Sequence, residues 1–337
     1  MADDDTVAVV VPSYQRREYV LQAVRSALQQ TYANLQCIVV DNGPDDGTVQ
    51  ALASLGDPRV KAVRHPKALG AAAARNVGID AASGSRWVAF LDSDDIWAPT
   101  KLEHQMGALA ENPRAFLSAT SSVVVDADLT PTRALRSPAG SKGCQQFLLT
   151  RQDLLRQLGQ EHRLSLNFST FMAARSALLA AGGCDVSLRH GDDWDLVIRM
   201  AEHSPIAYVD LPLAVYRIWG AAQLSSDRRG QMKDNATIRA RYLPQAPPPS
   251  REQRRTWALY SAWRNASERR RLAAGQDFMK AAWLGRAPGQ IAYAFGAVAF
   301  PGPTQRRLKR MADSHQSRVL PEGWDAAVHP WLRVPQA

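Results

Sequence analysis

Apolar residues near the start of the chain come in short unbroken blocks separated by polar turns. VAVVVP (7–12), LQCIVV (35–40), RVKAV (59–63) and RWVAFL (86–91) are rich in β-branched residues and predict buried strands. Between them the period changes. Val20, Leu21, Val24, Ala27 and Leu28 fall at helical spacing within 17–30, and two further helices are predicted over 48–55 and 71–81. Strands alternating with helices predict parallel βαβ units, in which ligands bind beyond the carboxyl ends of the strands. SYQRRE, DNGPDDG and DSDD each closely follow a strand, so all three are expected along one edge of the sheet.

Further on, 99–112 predicts a helix with Pro99 at its start. Scattered Pro, Gly and Ser over 126–145 predict a loop. FSTFMAARSALLAAGG (168–183) predicts a strand leading into a helix that stops at its glycines, and DDWDLVIRMAE (192–202) a helix with acids at its N-terminus. IAYVDLPLAVYRIW (206–219) is expected to form two strands joined near Leu211-Pro212. After Gly220 the sequence is basic and mostly helical, with a proline-rich linker at 244–250 and a helical stretch over 251–283. The expected division is a catalytic domain over 1–225 and a basic helical extension over 226–337. The apolar stretch 290–300 is too short to span a bilayer.

Composition adds one asymmetry. With 337 residues and 45% hydrophobic content, the chain can bury a sizeable core. Its net charge of +9 is concentrated late: residues 1–220 hold 21 Lys and Arg against 24 Asp and Glu, and residues 221–337 hold 20 against 8. That basic segment carries no recognition motif for nucleic acid, which is not expected as a partner. It suits either a solvated helical face or peripheral contact with an anionic membrane. The acidic start MADDDTVAVVV lacks the basic region of a secretory signal, and three cysteines without metal spacing fit a reducing compartment, so a cytoplasmic location is expected. Abundant Ala and Arg suggest a bacterial source.

The candidate chemistry starts at DSDD. Asp92, Asp94 and Asp95 crowd three carboxylates into four residues at a strand end, and such hard oxygen ligands suit Mg²⁺ or Mn²⁺ shared with a diphosphate. The bland alternative is an acidic turn capping the next helix. Asp41 ends another strand and offers an acceptor to the imide of a pyrimidine. Tyr14 offers a ring for stacking, and Arg75 a charge-assisted donor to a nucleotide.

Together, VVVPSYQRREYVLQAVRSALQQTY, VVDNGPDDGT, GAAAARNVGIDAASG, VAFLDSDDIW and GGCDVSLRHGDDWDLVIRMAE resemble family 2 glycosyltransferases of the GT-A fold over about residues 5–225. The resemblance implies an α/β fold with a Rossmann-like mixed sheet flanked by helices, followed here by a helical extension. It implies metal-dependent, inverting transfer of a sugar from a nucleoside-diphosphate donor, of UDP or dTDP type, to an acceptor hydroxyl. Ser13 and Tyr14, with Asp41, would hold the base, Pro12 would also belong to the donor site, and Arg75 would lie on the nucleotide side. Asp92 and Ser93 would lie near the ribose, and Asp92 and Asp94 would bind the metal. Asp193 would be the general base, with Asp192 and Trp194 beside the acceptor, a glycan, natural product or lipid-linked sugar. Three positions depart from the family: Asn42-Gly43-Pro44 follows Asp41, Asp192 replaces a Glu, and Trp219 stands where many members carry a His after the last strand. His190 is a remote substitute for that His. The competing reading is a nucleotide-sugar-binding module with weak catalysis that docks through its basic tail.

Overall fold

The computed structural model describes residues 5–135, 146–158, 166–220 and 223–248, and, further along, residues 251, 254–255, 258–259, 261–262, 265, 270–285, 328 and 330–332. Cys144, Trp257, Tyr260, Trp263 and the apolar stretch 290–300 lie outside the described residues.

The first half follows the hydrophobic pattern. Strands β1 (Val7–Ser13), β2 (Leu35–Asn42), β3 (Val60–His65) and β4 (Trp87–Phe90) are parallel in the order β3-β2-β1-β4. Helices α1 (Arg17–Leu28), α2 (Thr48–Ala53) and α3 (Ala71–Ala81) connect them. Val7 to Val11 are fully buried, as expected for a central parallel strand covered on both faces. Helix α3 lies backbone-close on β1: a Cβ added at Gly78 would sit 2.2 Å from Val10 Cγ1. That close approach fixes the helix that carries Arg75.

The second half is mixed. It contains β5 (Ile96–Trp97), α4 (Lys101–Glu111), β6 (Leu117–Val125), β7 (Pro131–Leu135), β8 (Gln146–Leu149), α5 (Arg151–Leu158), β9 (Phe171–Ala174), α6 (Arg175–Ala180), α7 (Asp192–Met200) and β10 (Ile206–Arg217). Strand β9 lies antiparallel between β4 and β6, while β10 runs parallel to β6 and antiparallel to β5 and β8. Two expectations are corrected. Residues 131–135 of the expected loop form a strand on β6, after a turn in which Asp126 Oδ1 accepts the N–H groups of Asp128 and Thr130. Residues 206–217 are one strand, not two: it passes Pro212 with register shifts between Val209 and Pro212 and between Pro212 and Ala214. An irregularity of this kind lets a proline sit in a paired strand.

The chain divides into two compact units. The first comprises Met1–Leu154, Leu164–Arg241 and Leu320–Ala337; the second comprises Leu155–Arg163 and Tyr242–Val319. Within the first, Val328, Trp331 and Leu332 pack against Ile96, Val123, Val125 and Val215 of the sheet. Helix α8 (Arg228–Tyr242) starts on Asp227, whose Oδ1 accepts the Gly230 N–H. In the second unit, α9 (Arg271–Gly285) buries Ala274, Phe278, Ala281 and Ala282, and Asp277 Oδ2 accepts from Ser261 Oγ at 2.6 Å and Asn265 Nδ2 at 2.9 Å.

Candidate active site

The carboxyl ends of β2, β1 and β4 bring the three loops together. Pro12 pairs in register with Val40, and Ser13 with Asp41. Tyr14 is 48% exposed, with its ring against the Gly43 backbone; a Cβ at Gly43 would lie 2.8 Å from ring carbons. The Ser13 hydroxyl is buried and has no hydrogen-bond partner among the described residues. Asp41 is buried and accepts from Arg64 Nη1 at 2.6 Å; burial raises its carboxyl pKa, while Arg64 opposes the rise. Asn42 Oδ1 accepts the Leu69 N–H at 2.7 Å and anchors the segment before α3.

The acidic loop sorts its carboxylates by environment. Asp95 is fully engaged: Oδ2 accepts from Ser169 Oγ at 2.5 Å and Oδ1 from the Arg217 N–H at 3.1 Å. Burial, with the charges of Asp94 and Asp92 nearby, holds its carboxyl well above the ordinary range. It is a structural member of the loop. Asp92 is the more accessible, with its side chain 27% exposed, while Asp94 is buried, with 12% of its side chain exposed. Each commits one oxygen. Asp92 Oδ1 accepts from Arg75 Nη2 at 2.6 Å, and Asp94 Oδ2 from Arg16 Nη1 at 3.0 Å and Trp219 Nε1 at 2.9 Å. Ser93 between them is buried.

Among the described residues no group of three His, Cys, Asp or Glu side chains could hold a metal. Two carboxylates with an oxygen to spare on each nevertheless fit Mg²⁺ or Mn²⁺, which commonly take one or two protein carboxylates and complete their shell with water and phosphate.

Arg75 joins this loop to the start of α7. Its guanidinium is buried, stacks 3.6 Å from the Phe168 ring centroid, and spans Asp92 and Asp192, with Nη1 at 2.9 Å from Asp192 Oδ2. Two of its nitrogens are committed to carboxylates. Burial pushes the Asp192 carboxyl up to about 7; Arg75 opposes this, and Asp193 and Asp92 reinforce it. Asp193 is half-buried, and its Oδ1 accepts the Trp194 N–H at 2.8 Å. Trp194 is also half-buried. Helix α8 braces this corner: Asp234 Oδ2 accepts the N–H groups of Arg189 and His190, and Arg241 Nη1 reaches Asp195 Oδ1 at 2.5 Å. The His190 ring is directed to Asp227 on the same side, at 3.4 Å, so it does not replace the missing histidine at the acidic loop.

Sequence reasoning did not find Arg16, Arg64, Phe168, Ser169, Arg217 and Gln223 as parts of this site. Their one shared signal is position, since each lies at or near an element end. Arg16, Phe168, Ser169 and Arg217 also fall within SYQRRE, FSTFMAARSALLAAGG and IAYVDLPLAVYRIW.

The family model described as glycosyl transferase family 2 matches residues 8–180. Among curated relatives, WfgD of Escherichia coli, named a UDP-Glc:alpha-D-GlcNAc-diphosphoundecaprenol beta-1,3-glucosyltransferase, is 38% identical over 122 residues, covering 36% of this chain and 48% of the relative. TuaG of Bacillus subtilis, named "Putative teichuronic acid biosynthesis glycosyltransferase", is 40% identical over 127 residues, covering 37% and 50%. The matched segment thus spans about half the length of these relatives. Among solved structures, S. aureus TarS in complex with UDP-GlcNAc superposes with a TM-score of 0.58 at 16% identity, covering 92% of each chain. The mannosyltransferase PcManGT of Pyrobaculum calidifontis, with GDP-Man and Mn²⁺, gives 0.54 at 17% identity, covering 97% of this chain and 88% of its own. These likenesses establish the GT-A fold. With a family match over more than half its residues, on the strands and loops that build the acidic edge, the chain belongs to glycosyl transferase family 2.

Proposed function

We propose that the chain transfers a sugar, with inversion, from a nucleoside-diphosphate donor to an acceptor hydroxyl. The observation that carries this reading is the Arg75 bridge, whose one guanidinium links Asp92 of the acidic loop to Asp192 at the start of α7. Tyr14 presents a face for a base to stack on, the unpartnered Ser13 hydroxyl offers a polar contact, and Asp41 offers an acceptor suited to the imide of a UDP or dTDP base. A Mg²⁺ or Mn²⁺ ion held by Asp92 and Asp94 would offset the charge that develops on the departing diphosphate. Of the acidic pair, Asp192 is buried against Arg75 and Asp193 is the more open. Asp193 is therefore assigned as the base that takes the acceptor proton, with Trp194 beside it. Incubation with a panel of UDP- and dTDP-sugars should release nucleoside diphosphate in Mn²⁺ and not in EDTA. Release that is indifferent to EDTA would overturn metal dependence, and no release from any donor would favour a binding module.

The acceptor proposed is a lipid-linked sugar, as WfgD is named for. A surface of the second unit supports this reading. Leu272, Met279 and Trp283 lie on one face of α9 and are 74%, 46% and 76% exposed, with exposed Lys280 among them. Residues 242–319 hold 14 Lys and Arg against 4 Asp and Glu. An apolar stripe in a basic setting suits the headgroup level of an anionic bilayer, and no described helix is long and apolar enough to cross one. Co-sedimentation with vesicles containing phosphatidylglycerol should be strong at low salt and lost at high salt, with none on phosphatidylcholine. Leu272→Ser with Trp283→Ser should weaken it. Failure to sediment at low salt would point to a soluble acceptor.

A further inference from the structure

Asp94 is held by more than Arg16. Its Oδ2 also accepts from Trp219 Nε1 at 2.9 Å and from Gln223 Nε2 at 3.3 Å, so three donors converge on one oxygen. The indole that supplies the second of these is clamped in a layered stack. Arg16 Cζ lies 5.0 Å from the Trp219 ring, Trp219 lies 5.0 Å from Tyr19 at 31°, and Arg217 Cζ lies 4.9 Å from Tyr19. Gln223 closes the arrangement. Its Oε1 accepts the Trp219 N–H at 3.0 Å, and its Nε2 also donates to the Arg217 carbonyl at 2.6 Å. Arg217 in turn gives its N–H to Asp95. Arg217 at the end of β10 and Trp219 and Gln223 just after it therefore hold both members of the Asp94-Asp95 pair, and they lie beyond the residues matched by the family model.

A carboxylate oxygen has about two lone-pair directions, and three donors exhaust them. Oδ2 is then closed to a cation, and Oδ1, which has no hydrogen-bond partner among the described residues, is the oxygen left to bind one. Groups that orient a ligand in this way are typically worth about 10–100-fold in metal affinity. We propose that Trp219 and Gln223 are positioning residues that lock Asp94 for one-oxygen binding of a divalent cation. Trp219 thereby supplies, by orientation, what a coordinating histidine after the last strand would supply by a bond. The inference rests on the metal role proposed above for Asp92 and Asp94.

The test is titration of Mn²⁺ into the full chain at saturating UDP, with free Mn²⁺ followed by electron paramagnetic resonance. Trp219→Phe keeps a ring against Tyr19 and Arg16 but has no N–H. It should weaken Mn²⁺ binding about 10-fold, with UDP affinity in EDTA and the melting temperature unchanged. Gln223→Leu leaves the aromatic stack in place and should also weaken Mn²⁺, so it decides the matter if Trp219→Phe does not fold. Wild-type Mn²⁺ affinity in both folded variants would overturn the positioning role alone. Absence of Mn²⁺ binding by the wild-type chain would overturn the metal assignment, and this inference with it.

Discussion

Asp193→Asn is expected to lower kcat by about 10²–10⁴-fold, the usual contribution of a general base, while donor affinity stays as in the wild type. The substitution is close to isosteric, and the Asn carbonyl can still accept the Trp194 N–H that Asp193 Oδ1 accepts at 2.8 Å, so the start of α7 should survive. What is lost is basicity on the more open member of the acidic pair. The distinction from Asp192 can be tested in the same assay. Asp192 is tied to Arg75, and burial pushes its carboxyl up to about 7. Steady-state kinetics with saturating donor, plus calorimetry with UDP, separate the two effects. An Asp193→Asn enzyme that keeps more than about a third of wild-type kcat would remove Asp193 from the chemical step.

Asp94→Ala is expected to abolish the dependence of UDP affinity on Mn²⁺. Asp92 and Asp94 are the two carboxylates assigned to the proposed cation, and Asp95 cannot stand in because both its oxygens are occupied by Ser169 and Arg217. Losing one of two ligands should exceed the about 10–100-fold that orienting partners are worth. The cut also leaves Arg16, Trp219 and Gln223 without their shared acceptor, so some loss of stability is expected, and circular dichroism should accompany the binding data. A folded Asp94→Ala protein that binds UDP more tightly in Mn²⁺ than in EDTA, to the same degree as wild type, would move the cation elsewhere.

How much of this was legible in the sequence follows from where local pattern and long-range contact coincide. Strands β1 to β4 and helices α1 to α3 were readable because each strand is a continuous apolar block and each helix repeats at its own period. Strand β6 was not: LSATSSVVV buries Ser118, Thr120, Ser121 and Ser122, and nothing local marks such polar residues as core. The two-residue strand β5 is too short to carry a period, and it exists because Ile96 and Trp97 pair with Val215 and Ala214 more than a hundred residues away. In the site, loops after strands were visible, but their partners were not. Arg64 beside Asp41, Ser169 beneath Asp95 and Gln223 at Asp94 meet their partners only through the sheet. The departure of Trp219 from the family pattern was visible as a letter, while its use as a donor to Asp94 depended on three-dimensional placement.

Strand β10 passes Pro212 out of step with β6 and returns to regular pairing from Ala214 onward. In a strand, side chains alternate between faces, so an offset of one residue reverses every position beyond it. The irregularity therefore acts as a phase setter for the acidic loop: it decides which face Arg217 presents when its N–H meets Asp95, and where the chain delivers Trp219 two residues later. On this view the number of residues between Val209 and Ala214 matters more to the site than their identity. A single deletion there would leave every motif letter in place and still turn the wrong side chains toward Asp94.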